Sequence, residues 1–272
     1  MASKHVEKIK ALYKENKKSS LIWYLVLRTF VIITMVLSFV RGDYSSVFLC
    51  LLTLILFLIP FWINNKLKVD IPNVLEIIIF LFIFSAEILG EINNFYAHIP
   101  NWDTILHTLN GFLCAAIGFS MIDILNNSEK FHINLSPIFV SLVAFCFSMT
   151  IGVLWEFFEF GADQLVKTDM QKDRIIQTIS SVTLEPNGKN DPVIIDNIDK
   201  TIIESNKNGE MVDTIIEGGY LDIGIIDTMK DLFVNFIGAV VFSILGFFYI
   251  HNRDKYKFTE NFIPRKKKRL HN

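Results

Sequence analysis

The chain has 272 residues, 51% of them hydrophobic, and a mean hydropathy of +0.41. This composition excludes an ordinary soluble domain and is typical of an integral membrane protein. The formal net charge of -2 excludes little by itself, because the charges are unevenly distributed along the chain. The three cysteines all fall in apolar runs and lack CxxC spacing, so neither a disulfide framework nor a thiolate metal site is indicated.

The first 20 residues form a basic arm that carries six lysines with apolar residues between them. Two interpretations stay open: the arm sets the topology of the first span, or it lies on anionic lipid as an amphipathic helix. The apolar run that follows, Leu21–Val40, is too long for a signal peptide and lacks a small-residue cleavage site. We therefore expect it to remain in the membrane.

Six apolar stretches reach the roughly 17–25 residues that a helix needs to cross the hydrocarbon layer. They are Leu21–Val40, Ser45–Ile63, Pro72–Gly90, Thr104–Leu125, Ser136–Phe160 and Ile225–Ile250. The predicted fold class is therefore all-α: a polytopic membrane helical bundle of about six transmembrane helices. Residues 21–160 supply the first five helices and residues 225–251 the sixth.

Charge predicts the orientation of these helices. The arm and the tail, residues 252–272, are both rich in lysine and arginine, so the positive-inside rule places both termini in the cytoplasm. The tail includes the run RKKKR at 265–269, which we interpret as a stop-transfer anchor rather than a nucleic-acid patch. No nucleic-acid partner is expected. Residues 163–222 hold twelve acidic and six basic residues, which fits the outer side.

Residues 161–224 predict a small extracytoplasmic insert, either α or α+β. Residues 169–184 indicate a helix start followed by a strand, and the apolar spacing of residues 191–205 predicts a helical stripe. The stretch NKNGE (206–210) indicates a turn. The insert is too apolar for an unstructured linker, and we expect it to form a cap over a site at the outer surface.

The stretch WEFFEFGAD (155–163) ends a hydrophobic span with three carboxylates. Offsets of three and seven residues put Glu156, Glu159 and Asp163 on one helical face. An ionised carboxylate near hydrocarbon costs several kcal/mol unless it finds a proton, a cation or water. The pattern therefore indicates a functional cluster.

Three other predicted helix ends on the same side carry similar pairs: Glu87 with Glu91, Asp103 with His107, and Asp227 with Asp231. Helices that bundle would bring these groups together, where a cation must neutralise them or several must be protonated. Imidazole and carboxylate ligands suit Zn²⁺ or Mn²⁺, and carboxylates alone suit Mg²⁺. We predict a divalent metal ion held by Asp103, His107, Glu156, Glu159, Asp163, Asp227 and Asp231.

Structural roles compete with ligation for several of these residues. Asp103 and Asp227 lie near helix starts, where an acid can cap exposed N–H groups. Glu91 and Asp163 fit interfacial water. Asn110 and Asn235 would form interhelical hydrogen bonds or support the site ligands.

The stretches WDTILHTLNG (102–111), WEFFEFGAD (155–163), DMQKD (169–173) and GYLDIGIIDTMKDLFVNFIGA (219–239) together resemble the YjdF-like family of bacterial membrane proteins. The resemblance covers most of the last four spans and the insert, whereas the first two spans match only in hydrophobicity. A more distant resemblance links the arrangement to VanZ-like membrane proteins. These resemblances imply a location in the bacterial plasma membrane, and they bring no known reaction and no catalytic residue.

Three functions follow from the pattern. The first is a metal-dependent hydrolase of a lipid or lipid-linked envelope substrate at the outer leaflet, with Glu87 and Glu156 as catalytic residues and one of them the general base. The second is a transporter of cations or protons, against which the very apolar inner halves of the spans count. The third is a non-catalytic membrane protein whose metal or hydrogen-bond cluster locks the helices together.

Overall fold

The computed structural model describes residues 2–66, 69–126 and 134–266, with side chains described from Ser19 onwards. Eight α-helices occur in these residues: α1 (Ala2–Val40), α2 (Tyr44–Leu56), α3 (Ile59–Lys66), α4 (Asn73–Phe84), α5 (Phe95–His98), α6 (Trp102–Asn126), α7 (Pro137–Val166) and α8 (Ile225–His251). A π-helical segment, Ser85–Ile92, follows α4 directly. Two 3₁₀ segments complete the helical part, Val182–Leu184 and Lys257–Phe262.

The strands are short and pair in twos. They are β1 (Val69–Asp70), β2 (Ile175–Ile176), β3 (Ile179–Ser181), β4 (Val193–Ile195), β5 (Lys200–Lys207), β6 (Glu210–Glu217), β7 (Tyr220–Leu221) and β8 (Arg265–Lys266). The antiparallel pairs are β1 with β8, β2 with β7, β3 with β4, and β5 with β6. The predicted all-α membrane fold is confirmed, with a small β component.

Five helical stretches in the described residues are long and apolar enough to cross a membrane: Ser19–Val40, Tyr44–Lys66, Trp102–Asn126, Pro137–Val166 and Ile225–His251. The remaining predicted span, Pro72–Gly90, corresponds to α4 and the π-helical segment, which run on without a break from Asn73 to Ile92. It differs from the prediction in its second half, because eight residues adopt π-helical hydrogen bonding. Such segments are rare and recur at functional sites.

Local chemistry explains where the second span starts and why it divides. Asp43 caps α2: its Oδ1 accepts a hydrogen bond from the backbone N–H of Ser46 at 3.1 Å, and its Oδ2 accepts one from the hydroxyl of the same residue at 2.5 Å. Pro60 lacks the N–H that would continue the helix, so α2 ends at Leu56 and α3 begins just before the proline.

The chain divides into two compact units, the first made of Met1–Gly152 with Val234–Asn272 and the second of Val153–Phe233. In the first unit, α1, α2, α4 and the π-helical segment share an apolar cluster that includes the edge-packed rings of Phe57 and Phe80. A second cluster joins α6, α7, α8 and the C-terminal segment around the fully buried Phe119 and Phe242. Aromatic packing therefore supplies much of the core of this unit.

In the second unit, β5 and β6 form a hairpin in register from Lys200 opposite Glu217 to Lys207 opposite Glu210. The two loop residues, Asn208 and Gly209, both have positive φ, 56° and 93°. Two such residues form the turn that matches the twist of a hairpin, and Asn-Gly is the preferred pair for it. The predicted turn in NKNGE is confirmed.

The prediction of a helical stripe in residues 191–205 is wrong, because these residues contain β4 and most of β5. No α-helix occurs between Val166 and Ile225, a stretch that the structure describes throughout. Apolar residues two and four apart suit a strand as well as a helix over short distances, and here the tight turn decides in favour of the strand. The helix of the preceding span also continues beyond the predicted Phe160 to Val166.

The predictions for the two ends of the chain are tested only in part. The amphipathic character of the arm depends on side chains before Ser19, which lie outside those described. In the tail, Arg265 and Lys266 form β8, and the rest of the basic run lies outside the described residues.

Candidate functional site

Asp103 and His107 form a pair on the first turns of α6. One turn separates them, and Nε2 of His107 lies 3.4 Å from Oδ1 of Asp103. The side chain of His107 is 12% exposed and that of Asp103 is 30% exposed. Asp103 also lies in the first turn of the helix, where the dipole favours a negative charge. The structure thus places an oriented imidazole next to a carboxylate, as the sequence predicted.

The start of α6 is held against the π-helical segment by Trp102. Its indole N–H donates a hydrogen bond to the backbone oxygen of Ser85 at 3.3 Å, and its ring packs edge-on against Phe95 at 5.0 Å. The same π-helical segment carries Glu87, which is half-buried, and Glu91, which is exposed. Glu87 thus lies on an element that the helix start contacts, and its role as a general base stays a prediction.

Glu156 and Glu159 are both buried on α7, at 5% and 8% exposure. The indole N–H of Trp155 donates a hydrogen bond to Oε1 of Glu159 at 2.8 Å. Phe157 and Phe158, by contrast, are largely exposed. This stretch of the helix buries its carboxylates and exposes its rings, which is the pattern expected where the outer surface of the helix faces lipid. The predicted common face of the two glutamates is confirmed.

Asp163 is engaged by the loop that follows α7. It accepts hydrogen bonds from the hydroxyl of Thr168 at 2.8 Å and from the backbone N–H groups of Met170 at 2.7 Å and Gln171 at 2.9 Å. Three donors satisfy most of the capacity of one carboxylate. Its observed contacts therefore hold the loop, and its ligation of a metal stays a prediction.

Asp227 binds the same loop from the first turn of α8. Its Oδ2 accepts a hydrogen bond from the backbone N–H of Lys172 at 3.0 Å, and its Oδ1 lies 3.8 Å from the guanidinium of Arg174. The side-chain amide of Gln171 adds a hydrogen bond to Thr228 at 2.5 Å. Residues 168–174, which include the DMQKD stretch, are therefore a strap between the two helices of this unit.

The strap has a third carboxylate partner, Asp222, which the sequence reasoning missed. It accepts hydrogen bonds from the backbone N–H groups of Arg174 at 2.7 Å, Ile226 at 3.0 Å and Gly224 at 3.3 Å. Burial raises the pKa of Asp222, but these hydrogen bonds outweigh the burial and hold the pKa below its ordinary value. An aspartate three residues before the first residue of an apolar helix is a capping signal that could have identified it.

Asp231 is the most deeply buried of the predicted ligands, at 2% exposure on the second turn of α8. Asp103 and His107 in the first unit and Asp231 in the second unit each offer one nitrogen or carboxylate oxygen that could bind a metal ion. One nitrogen and two oxygens are a donor set that fits Zn²⁺ or Mn²⁺ with positions left for further ligands or water. The donor chemistry of these residues therefore suits a divalent cation.

Asn110 and Asn235 form a polar contact inside the first unit. Nδ2 of Asn110 lies 3.3 Å from Oδ1 of Asn235, and Nδ2 of Asn235 lies 3.7 Å from the sulfur of Met149. Gly152 leaves the room for this side chain, since a Cβ there would lie 2.7 Å from Nδ2 of Asn235. The interhelical hydrogen bond that the sequence allowed for these two asparagines is present.

The apolar helices and the carboxylates in them define a multi-pass helical membrane protein. The chain belongs to the DUF2238 family of predicted membrane proteins, whose model matches residues 22–252. A stretch of 97 residues is 30% identical to an uncharacterized protein of Thermotoga maritima and covers 36% of this chain and 48% of that protein. The chain thus spans about half the length of this curated relative. No solved structure matches it.

Proposed function

We propose that this protein is a bacterial plasma-membrane protein that binds a divalent metal ion near the outer surface and uses it to hydrolyse a lipid or lipid-linked envelope substrate. The resemblance to YjdF-like and VanZ-like proteins supports the location. The distribution of lysine and arginine supports cytoplasmic termini and an outer position for residues 161–224.

The observation that carries the proposal is the burial of carboxylates in apolar helices. Glu156 and Glu159 on α7 and Asp231 on α8 are all less than a tenth exposed. Burying one ionised carboxylate costs several kcal/mol unless a cation or a proton neutralises it. Since the predicted ligand set also includes an imidazole, His107, a bound transition metal accounts for the set better than protonation alone.

In this proposal Asp103, His107 and Asp231 are the metal ligands. Glu156 and Glu159 are further carboxylates of the proposed site. Asp103, 3.4 Å from the imidazole, also fixes the orientation of the ring of His107. A bound divalent ion would polarise a phosphoryl or carbonyl oxygen and lower the pKa of a water molecule. Glu87 or Glu156 would accept the proton of that water. Zn²⁺, Mn²⁺ and Mg²⁺ are the candidate ions.

Exposed aromatic rings beside the buried glutamates support a lipid or lipid-linked substrate. Phe157, Phe158 and Phe160, all largely exposed, flank the buried glutamates on α7 and give acyl chains an aromatic surface to pack on. A headgroup at the membrane interface would then lie level with the carboxylates. Cations that could bind a phosphate are few: Lys167, Lys230 and Arg174, the last of which already pairs with Asp227.

A second candidate function is a non-catalytic role in which the carboxylates only hold the helices and the insert together. The strap favours it, because Asp163, Asp222 and Asp227 each bind backbone N–H groups of residues 170–174 or of the start of α8. These carboxylates perform a structural task that needs no metal.

Elemental analysis of the purified full-length protein tests the proposal. The unchanged protein, incubated with Zn²⁺, Mn²⁺ or Mg²⁺ and desalted, is expected to retain about one equivalent of one of them. His107→Ala and Asp231→Asn should each reduce retention at least tenfold. The controls are His98→Ala and Glu91→Gln, since both residues are exposed in the first unit. Absence of stoichiometric metal in the unchanged protein would refute the proposal.

Stability separates the two candidate functions. If the cluster is catalytic, Glu156→Gln should give a protein that unfolds at nearly the unchanged temperature and has lost hydrolysis of a lipid-linked phosphate in mixed micelles. If the cluster is only structural, the same change should lower the unfolding temperature by several degrees. Metal retention by a folded protein without any hydrolysis would favour the second candidate.

A further inference from the structure

The C-terminal segment after α8 turns back into the first unit instead of leaving it. Its 3₁₀ helix, Lys257–Phe262, is followed by Ile263 and Pro264, which are buried. Ile263 is only 1% exposed and belongs to the apolar cluster of α6, α7 and α8. Part of the stretch that the sequence predicts to be a basic cytoplasmic tail, residues 252–272, therefore belongs to the core.

The C-terminal segment contacts α6 at a residue far from the C-terminal end of that helix. The ring of Phe262 packs edge-on against Phe112, with centroids 5.3 Å apart, and Phe112 packs in the same way on Phe242. Phe112 lies about 14 residues before the end of α6 at Asn126, which at 1.5 Å per residue is roughly 20 Å along the helix. Phe262 is therefore inserted between spanning helices.

Polar contacts and a strand pair hold the segment in this position. The hydroxyl of Ser120, itself buried on α6, donates a hydrogen bond to the backbone oxygen of Pro264 at 2.5 Å. Arg265 and Lys266 pair as β8 with β1, and the guanidinium of Arg265 lies 2.8 Å from Glu260. Contacts of Phe262, of Pro264 and of β8 thus hold the segment in place.

Irregular backbone occurs at membrane depth only where protein buries it or where it lines an aqueous cavity. Here protein buries Thr259, Ile263 and Pro264, so this part of the segment fills a space at this end of the helices that would otherwise admit water. Just beyond its tip, Asn110 begins a polar contact with Asn235. Withdrawal of the segment would therefore open a route from this end toward a polar group in the middle of the first unit.

One feature of the segment favours its release. Thr259 is fully buried, and its hydroxyl has no hydrogen-bond partner among the residues that the structure describes. A buried hydroxyl without a partner destabilises the folded state, and this destabilisation is relieved when the group returns to water. The docked state is therefore destabilised at one defined position, although its apolar contacts are extensive.

We propose that residues 257–266 form a re-entrant gate that closes the end of the bundle carrying both chain termini, with Phe262 as the plug and Thr259 as the position that keeps it releasable. The gate controls access of water and small solutes to the region of Asn110 and Asn235. This proposal goes beyond the proposed function and does not depend on a metal ion.

Thiol accessibility tests the gate in the full-length protein reconstituted in liposomes. Ser120→Cys supplies a reporter under the segment in a background where Cys50, Cys114 and Cys146 are replaced by serine or alanine. A membrane-impermeant maleimide is added to either face, and labelling is compared with that of the denatured protein. We expect slow labelling of the otherwise unchanged chain from both faces.

Phe262→Ala should increase the labelling rate at least tenfold, and only from the face that carries the termini. The matched control is Phe258→Ala, since Phe258 belongs to the same 3₁₀ helix but is 50% exposed. It should leave the rate unchanged. Thr259→Val keeps the side-chain shape, removes the unpaired hydroxyl and should slow labelling severalfold.

Three results would overturn the gate: rapid labelling of the unchanged chain, equal rates for the two phenylalanine variants, or an unchanged rate for Thr259→Val. Unfolding temperatures are measured in parallel. If Phe262→Ala proves unfolded, the Thr259→Val result decides, because that change is expected to stabilise the docked segment.

Discussion

Gly111 lies directly against the backbone carbonyl of Asn235, so closely that a Cβ at residue 111 would come within 2.1 Å of that oxygen. The carbonyl oxygen of Gly111 in turn accepts a hydrogen bond from the buried hydroxyl of Ser148 at 2.7 Å. A single glycine thus lets α6 contact α8 closely while it also bonds to α7. Small residues at such crossings allow the packing that holds membrane helices together.

Gly111→Ala is therefore expected to destabilise the protein by about 1–3 kcal/mol, because the atom that it meets belongs to the backbone and cannot rotate away. The measurement is the thermal unfolding midpoint in detergent, followed by tryptophan fluorescence. Gly161→Ala is the control, since Gly161 is also helical but has no atom within 4 Å of the added Cβ. Equal midpoints for the two variants would contradict the packing argument.

The hydrogen bonds of Asp222 predict a loss of stability in acid. Because its pKa in the folded protein lies below the ordinary value, Asp222 contributes stability that is fully present above the unfolded pKa of about 3.9. That contribution is lost as the pH falls through the folded pKa. The unchanged protein should therefore unfold at a higher temperature than Asp222→Asn at pH 6, and the gap should shrink below about pH 4.

Asp191→Asn serves as the control for this experiment, because Asp191 is an exposed carboxylate of the same unit. It should show little difference from the unchanged protein at pH 6. A gap between Asp222→Asn and the unchanged protein that stays constant down to pH 3 would show that ionisation of Asp222 does not stabilise the strap.

Asp173 gives a prediction of opposite sign. Burial and the neighbouring charges of Asp169, Asp222 and Asp163 raise the pKa of Asp173 above its ordinary value. Ionised Asp173 at neutral pH therefore opposes folding, and Asp173→Asn should stabilise the protein by up to about 0.5 kcal/mol, the usual limit for an exposed side chain. A stability measurement in denaturant at pH 7 and again at pH 4 checks this, with a smaller gain expected at pH 4.

The three acidic neighbours of Asp173 also predict the effect of salt. The stabilisation by Asp173→Asn should decrease as ionic strength rises, because salt screens repulsion between exposed charges. A gain that is independent of salt would indicate a local conformational effect of the asparagine instead.

The hairpin of β5 and β6 should depend on Gly209. Its φ is +93°, a conformation that costs a residue with a side chain about 1–2 kcal/mol. The space around Gly209 is open, so backbone strain alone determines the effect of adding a Cβ. Gly209→Ala is expected to increase hydrogen exchange of the backbone amides in β5 and β6. Asn208→Gly should preserve protection, because glycine also adopts positive φ. Unchanged protection in Gly209→Ala would show that the turn does not set the register.

Much of the fold could be predicted from short-range patterns. The spans follow from length and hydropathy, and the common face of Glu156 and Glu159 follows from helical periodicity. The Asn-Gly turn follows from the need for positive φ. The error in residues 191–205 has the same origin, because a few apolar residues satisfy helical and strand spacing equally well, and the pairing of β5 with β6 decided between them.

The residue types of the candidate site could be predicted from the sequence, but the role of each residue could not. Periodicity placed Asp103, Asp163, Asp227 and Asp231 near helix ends as candidate ligands, with helix capping or solvation as the alternative for the first three. The structure shows that Asp163 and Asp227 bind the strap, because backbone N–H groups distant in sequence come within 3 Å of them. Asp222 also binds the strap, but its sequence context indicated this role only weakly.

The sequence by itself determined that this chain is a multi-pass helical protein with carboxylates at the ends of its spans, because hydrophobic length and helical period depend on neighbouring residues alone. Only the tertiary structure decided that the C-terminal segment turns back among the helices to place Phe262 against Phe112. That arrangement depends on contacts between residues about 150 positions apart, whose gain in buried apolar surface no local pattern records.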